Sequence, residues 1–379
     1  MSAGFGVYVH WPFCESKCPY CDFNSHVCEG VDQRAWREAY LNELDRYAGE
    51  TDDQTVTSIF FGGGTPSLMA PETVAAIIER VRTRWTCTDD LEVTAEANPS
   101  SAEAALFSAF AEAGINRLSI GVQSFNDDAL KFLGRRHTAT AALTAIEAAQ
   151  KAVPRISFDL IYARPGQTAE DWRNELRQAL GLAGEHLSVY QLTIERGTAF
   201  HRERVGTADE EAAVEMLDIT AEELSVAGLP AYEISNHARP GAEGRHNLTY
   251  WRGGDYVGIG PGAHGRLKSA DGTAAVQEIR LPETWLNAVQ TKGSGTQKRR
   301  AVAQEERAQE VLMMGLRLTR GLSAVDFMAA TGVALDTFLD RARVCALQEA
   351  DFLVFDDAGL RATPEGLKRL DAVLAHLLA

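Results

Sequence analysis

Three cysteines close to the start, Cys14, Cys18 and Cys21, stand in the run Cys14-Glu15-Ser16-Lys17-Cys18-Pro19-Tyr20-Cys21. The spacing is CxxxCxxC, with an aromatic residue directly before the last cysteine. Thiolates are the usual ligands of iron–sulfur clusters. Three of them on one short loop hold three corners of a 4Fe–4S cube. The fourth iron then has no protein ligand and is open to a small molecule. Zinc is a rival, since His26 or Cys28 stands near enough in sequence to complete a tetrahedral site. A ferredoxin-like cluster is the other rival and asks for a fourth cysteine. A CxxxCxxC loop with Tyr20, placed after a first strand-like segment, is typical of neither and points to the open-site cluster. An open iron chelates the amine and carboxylate of S-adenosylmethionine. One electron then cleaves the sulfonium, and the radical released takes hydrogen from an unactivated C–H bond.

The elements that must position such a loop are legible as alternating strand-like and helical runs. Val7 to Trp11 reads as a strand and Asp32 to Ala48 as a helix. Val56 to Phe61 precedes a helix from Pro71, and Leu91 to Ala95 precedes Ser100 to Ala113. Arg117 to Val122 leads into a helical stretch through Lys151. Arg155 to Tyr162 precedes Thr168 to Leu180, and Leu187 to Ile194 precedes Asp209 to Ala227. Six βα units in a row imply an α/β fold with a parallel sheet covered by helices. Six suits an open, partial (β/α)6 TIM-type barrel better than the eight of a closed one. Chemistry in such folds collects at the C-terminal ends of the strands, and the cysteine loop follows the first strand.

Other chemistry-bearing residues fall on that same edge. Gly62-Gly63-Gly64-Thr65-Pro66-Ser67 follows the second strand and lets backbone approach a ligand closely. Glu96 ends the third strand, Gln123 the fourth, and Asp159 lies in the fifth. Acids in apolar strands are either paired carboxylates or acceptors for ribose and amine groups. Arg135, beside Arg136, is a candidate partner for a carboxylate.

Beyond Ala231 the pattern changes, with glycines and aromatics clustered from Tyr232 to Arg266. We expect the barrel with its extension over 1–290, a polar linker over 291–303, and a small domain over 304–379. In that last part helices precede a hairpin, Phe352 to Phe355 and Leu360 to Ala362 around Asp356-Asp357-Ala358-Gly359, and a final helix follows from Pro364. This reads as winged-helix-like. Acids outnumber bases from Gln304 onward, so the domain is expected to pack on or cover the barrel mouth rather than bind DNA.

Composition bounds the function classes. The 379 residues are 45% hydrophobic with a net charge of −16, which argues against broad binding of nucleic acid or an anionic membrane. No apolar run is long enough to span a bilayer, and the start does not read as a targeting peptide. Six cysteines in a chain this long do not make a disulfide framework, so a reducing cytoplasm is expected.

Taken together, these motifs resemble one family. Tyr8-Val9-His10-Trp11-Pro12-Phe13 leads into CxxxCxxC; GGGTPS, Glu96-Ala97-Asn98-Pro99, Gly121-Val122-Gln123-Ser124-Phe125, Asp159-Leu160-Ile161-Tyr162 and Gly258-Ile259-Gly260-Pro261-Gly262-Ala263-His264 follow. The chain is similar, over nearly its whole length, to coproporphyrinogen III oxidase-like radical S-adenosylmethionine proteins. One branch, the oxygen-independent oxidase of HemN type, decarboxylates two propionates in porphyrin synthesis. It carries a further cysteine two residues after the last cluster ligand, where this chain has Phe23, and a longer segment before the cysteines. The other branch, HemW-type haem chaperones, carries an HNxxYW motif, matched here by His246-Asn247-Leu248-Thr249-Tyr250-Trp251. The chain resembles this branch more closely.

The resemblance implies Cys14, Cys18 and Cys21 as cluster ligands, and Tyr8, Gly63, Thr65, Glu96, Gln123, Arg135 and Asp159 around S-adenosylmethionine. It implies haem as a further ligand, His246 as the haem-linked histidine, and haem-acceptor proteins, membrane respiratory enzymes among them, and an electron donor as partners. From the residues alone, His246 is either a ligand beside the flat Tyr250 and Trp251 rings or an organiser of the loops that close the barrel. His264 is its competitor as ligand. Two departures stand out: Ala163-Arg164-Pro165 where the family has Gly-Leu-Pro, and Arg196 where it has proline. Arg164 is expected to alter the wall of the cofactor pocket.

Overall fold

The computed structural model describes residues 3–28, 30–269 and 272–379. Its centre is an eleven-stranded mixed sheet. β1 (Phe5–Trp11), β2 (Thr55–Gly63), β3 (Thr86–Ala97), β4 (Arg117–Gln123), β5 (Arg155–Tyr162) and β6 (His186–Gln191) lie side by side in chain order, every pair parallel. The expected six βα units are present. The principal covering helices are α1 (Gln33–Ala48), α2 (Pro71–Arg84), α3 (Ala139–Ala152), α4 (Ala169–Leu180) and α5 (Glu210–Val226). Their starts are set locally. Asp32 accepts from the amides of Arg34 and Ala35, Thr168 and Asp171 form a capping box, and Asp209 accepts from Ala212. Two expected helices are broken in the structure. Ser100 to Ala113 splits into Ser101–Ala104 and Phe107–Glu112, and the stretch through Lys151 splits into Asp127–Phe132 and α3.

The strands alternate. Phe5, Val7, Val9 and Trp11 of β1 face outward onto Trp36, Tyr40 and Leu44 of α1 in the main core. The inward residues are small, polar or aromatic and bond one another across the lumen. Arg117 Nη1 donates to Glu92 Oε2 at 2.9 Å, Ser119 Oγ to Asp159 Oδ1 at 3.4 Å, and Ser157 Oγ lies 2.7 Å from His186 Nδ1. A pleated strand sends successive side chains to opposite faces, so apolar outer positions bind the helices while inner ones build a polar lumen.

The barrel is open. β6 pairs with the short antiparallel β7 (Asn236–Ala238), while β1 takes a seventh parallel strand, β8 (Asp255–Ile259), on its other side. β8 is hidden in sequence among Gly253, Gly254, Gly258 and Gly260, which mask any strand pattern. Gly258 is dictated by packing, since a Cβ there would lie 1.9 Å from the His264 carbonyl oxygen. β9 (His264–Ser269), β10 (Gly272–Glu278) and β11 (Thr296–Val302) continue as an antiparallel meander. The segment read as a linker over 291–303 is corrected here: it completes a helix, Pro282–Lys292, and then forms β11, the edge of the sheet. It looks linker-like because the exposed edge carries Lys298, Arg299 and Arg300, the charged dressing that blocks further pairing.

Residues from Gln304 onward build a second core around Val311, Leu316, Phe327 and Leu353. The expected hairpin is present as β12 (Leu353–Asp356) and β13 (Gly359–Ala362). This part does not cover the cysteine end. Its contacts run to Tyr232, Trp251, Gly253 and Arg266: Thr319 N donates to Tyr232 O at 3.1 Å, Arg317 lies 4.6 Å over the Trp251 ring, and Arg266 pairs with Glu310 at 2.8 Å. Gly253 stands two residues before β8, so the small domain packs at the N-terminal end of the strands. Among the described residues no helix is long and apolar enough to cross a membrane.

Candidate functional site

At the C-terminal ends of β1 to β5 lies a cavity of about 470 Å³. Cys14, Cys18 and Cys21 line it, and so do Gly63, Thr65, Glu96, Gln123, Arg135 and Asp159. Residues from five separate strands or the loops after them thus meet in one place, and among the described residues the lining ends at Asp159.

The cysteine loop is pinned before any ligand arrives. Phe13–Cys14 pairs with His26–Val27, Lys17 Nζ donates to the carbonyls of Phe23 and Ser25, and Cys21 N donates to Cys18 O at 3.1 Å. Gly64 N and Thr65 N donate to Trp11 O and Phe13 O at 2.7 and 2.8 Å, locking the glycine run against it. Gly63 has φ +110°, and a Cβ there would lie 2.5 Å from the His10 ring. That position takes only glycine.

Each thiol has a donor beside it. Thr65 Oγ1 reaches Cys14 Sγ at 3.4 Å, Arg135 Nη1 reaches Cys18 Sγ at 3.5 Å, and Ser25 Oγ lies 3.8 Å from Cys21 Sγ. Burial holds the Cys14 and Cys21 thiols above their ordinary range. A bound cation reverses that preference, because the thiolate is its ligand. Among the described residues no group of three or more His, Cys, Asp or Glu side chains converges to hold a single metal ion. A cluster asks each thiolate to hold a different iron, and three thiols that border one cavity fit it. His26, the sequence candidate for a fourth zinc ligand, has Nε2 3.3 Å from Asn24 Oδ1.

Behind the thiols stand two buried carboxyls. Burial, and then the nearby Asp159, push Glu96 up to about 8. Burial pushes Asp159 up to about 6, against hydrogen bonds from Ser188 and Ser119. Glu96 Oε2 also accepts from Gly63 N at 3.3 Å. Carboxyls held near neutrality in a lumen favour a cationic or hydroxyl-bearing guest, which stabilises their charged form. Asn98 was not singled out from the sequence, although it lies two residues after Glu96. Its Nδ2 donates to Thr65 Oγ1 at 3.1 Å and its Oδ1 accepts from Arg135 Nη2 at 2.7 Å. It therefore joins the donor to Cys14 with the donor to Cys18. Gln123 has φ +68° at the end of β4, a left-handed conformation that costs a non-glycine residue about 1–2 kcal/mol.

Three sequence expectations are redirected. Tyr8 does not line the cavity; its hydroxyl lies 2.9 Å from His10 Nδ1, one layer deeper in the lumen. Arg164 does not alter the cavity wall. It is buried and pairs with Glu175 at 2.6 Å, while Glu175 also accepts from Phe125 N. His246, the expected haem ligand, is 2% exposed and has no open nitrogen. Nδ1 is 2.9 Å from Ser58 Oγ and Nε2 is 2.6 Å from Tyr250 OH. Its ring stacks on Phe60 at 5.1 Å and on Tyr8 at 6.2 Å. Gly6 makes room for it, since a Cβ there would lie 3.0 Å from the ring. Burial pulls this imidazole down to about 3. The short helix α6 (Arg245–Trp251) thus plugs the N-terminal end of the lumen. Tyr250 packs edge-on against Tyr256 and Trp251 lies under Arg317, so neither ring is a free porphyrin face.

Comparison with known proteins adds to this geometry. The Radical SAM superfamily profile matches residues 8–179, and the HemN C-terminal domain profile matches residues 302–368. The chain is 41% identical to the Bos taurus protein "Radical S-adenosyl methionine domain-containing protein 1, mitochondrial", over 98% of this chain and 87% of that one. It is 39% identical to "Heme chaperone HemW" of Escherichia coli over 87% of each chain. It is 34% identical to the "Heme chaperone HemW" of Mycobacterium tuberculosis over 99% of this chain and 95% of that one. In three dimensions it superimposes on the coproporphyrinogen III oxidase HemN of Escherichia coli with a TM-score of 0.82 at 20% identity, covering 99% of this chain and 90% of that one. The last likeness speaks for the fold.

Proposed function

The chain belongs to the HemW-like family of radical SAM proteins, and on that premise we propose that it is a haem chaperone, taking up haem and passing it to haem-requiring acceptor proteins. The observation that carries this reading is the similarity, over most of the chain, to proteins named as haem chaperones. A second supports it. Phe23, where the oxidase branch has a further cysteine, is 59% exposed at the cavity rim.

In this reading Cys14, Cys18 and Cys21 hold a 4Fe–4S cluster, and Gly63, Thr65, Glu96, Gln123, Arg135 and Asp159 surround S-adenosylmethionine, with Tyr8 beneath them. When bound, that pair supplies one-electron reductive chemistry, and the electron comes from a donor outside the chain. The chain's own residues do the positioning. Thr65, Arg135 and Ser25 donate toward the three sulfurs and so favour thiolates. Asn98 holds Thr65 and Arg135 in register. Glu96 and Asp159, the buried carboxyls behind the thiols, would hold the cationic and hydroxyl-bearing parts of the cofactor. The acceptor proteins include, in this reading, respiratory enzymes at a membrane.

The test is a transfer experiment. Purified protein is loaded with haem and mixed with an apo-cytochrome, and haem arrival is followed by absorbance. Transfer faster than from free haem, with no decarboxylation of coproporphyrinogen III in an anaerobic assay containing S-adenosylmethionine and a reductant, supports a chaperone. Clear decarboxylation replaces it with the oxidase.

A further inference from the structure

His246 lies in the lumen with both ring nitrogens bonded. A haem ligand must be sought where an imidazole meets solvent next to apolar surface and a cation. One place combines the three. Asn24, on the far side of the cysteine loop, organises it. Its side chain donates to Pro261 O and Arg280 O, both at 2.9 Å, its Oδ1 lies 3.3 Å from His26 Nε2, and its carbonyl is 2.9 Å from His10 Nε2. Gly262 presses on it closely, with φ +78° and room for no Cβ, which would lie 2.6 Å from Asn24 Nδ2. The cysteine loop, the Gly260–His264 turn and the start of the Pro282–Lys292 helix therefore form one surface.

Three large apolar side chains are exposed on it: Phe23 at 59%, Val27 at 58% and Leu281 at 61%. Each belongs to Asn24's chain neighbour or to the neighbour of a residue that Asn24 touches. His264 is exposed, and neither of its ring nitrogens has a hydrogen-bond partner among the described residues. Arg280 is also exposed and has no ion-pair partner among them. Burial disfavours the protonated forms of His26 and His264, and nearby cations add to it, Lys17 and then Arg280 for His26, Arg266 and then Arg280 for His264, which keeps the imidazole in the form that binds iron. Arg266, the other cation beside His264, is held by Glu310 at 2.8 Å. In a chain of net charge −16, an unpaired arginine beside three exposed apolar side chains suits a flat apolar ligand with carboxylate arms.

We propose that haem seats on this outer face of the cysteine loop, with His264 as its axial ligand, Arg280 pairing a propionate, and Phe23, Val27 and Leu281 against the macrocycle. The proposal rests on the haem-chaperone reading and locates its ligand. It also puts the haem against the loop that holds the cluster. Cys21 and Phe23 are two residues apart, so the loop pinned by Lys17 and the His26–Val27 pairing carries part of the haem seat.

The experiment is a titration of the cluster-loaded full-length chain with ferric haem, followed by absorbance, for the wild type, His264→Ala and Arg280→Glu. Both positions are exposed, so unchanged melting temperatures check that the fold is intact. We expect His264→Ala to lose the histidine-ligated spectrum and to regain it with added imidazole. Arg280→Glu is expected to keep that spectrum and to bind about tenfold more weakly. An unchanged spectrum and affinity in His264→Ala overturns this site while leaving the chaperone reading intact. A wild type that binds no haem overturns both.

Discussion

The two ends of the lumen carry the two most distinctive motifs of the chain and treat them in opposite ways. At the C-terminal ends of the strands, Cys14, Cys18 and Cys21 face a cavity of about 470 Å³ with Glu96 and Asp159 behind them. At the other end, His246 is closed in by Ser58, Phe60, Tyr8 and Tyr250, and the helical domain packs beneath it. Both motifs hold residues that bind metals. What separates them is the state of the donor atoms: the thiols border open space, whereas both imidazole nitrogens are already bonded. A ligand-type residue in a motif is therefore a site only where its lone pair has somewhere to go.

That contrast is open to attack at either end. The largest effect is expected for Cys18→Ala, which should abolish stable cluster binding, because two thiolates cannot hold a cube that three hold at three corners. Iron and sulfide analysis after anaerobic reconstitution reads this directly, and the apo-protein should melt as the wild type does. His246→Ala should instead act on stability. Removing a stacked ring and leaving Ser58 and Tyr250 without their partner costs about 3 kcal/mol, seen in a denaturant titration. Binding of S-adenosylmethionine to the reconstituted protein should survive. A variant that melts normally but loses that binding would reverse the assignment of the two ends.

A smaller and more graded effect is expected from pH. The folded state keeps Glu96 protonated up to about 8, well above the ordinary 4.5. The folded chain therefore holds more protons than the unfolded one between those values, and the unliganded protein loses stability as pH rises through that window. A cationic ligand draws Glu96 into its charged form, so affinity for S-adenosylmethionine should rise toward pH 8, by up to about tenfold per pH unit. Glu96→Gln should flatten most of that slope in calorimetric titrations. An equal slope in the variant would move the titrating group elsewhere. The smallest effect is expected from Gln123→Gly, which relieves the left-handed conformation at φ +68° and should stabilise the apo-protein by about 1 kcal/mol, read as a modest rise in melting temperature.

The cavity end was legible in sequence because its parts are punctuated. Gly63, Thr65, Glu96 and Gln123 sit where a strand pattern stops, Asp159 lies within the fifth strand, and β–loop–α order places them all toward one edge. Tyr8 illustrates the limit. It shares the inward face with His10, but its place one layer down depends on strand register, which sequence does not give. Asn98 stands in the Glu96-Ala97-Asn98-Pro99 motif, but its task there, bridging Thr65 and Arg135, is visible only when both banks are in place. β8 is hidden by glycines that close approach to several neighbours demands, Gly258 to His264, Gly260 to His10 and Gly253 to Val311, and β11 reads as a linker because an edge strand and a solvated linker share a charged, polar composition. His246 was legible as a motif and not as a plug, since burial at that point is created by Gly6, Ser58 and Phe60 from two distant strands.

In the proposed reading the three thiols leave one iron open toward the carboxyl-lined cavity. Electron paramagnetic resonance of the reduced, reconstituted protein tests it most directly. A 4Fe–4S signal is expected whose g-values shift when S-adenosylmethionine is added and that fails to shift in Glu96→Gln at low ligand concentration. A cluster signal that is indifferent to S-adenosylmethionine at saturating concentration, or stoichiometric zinc in place of iron, would contradict it.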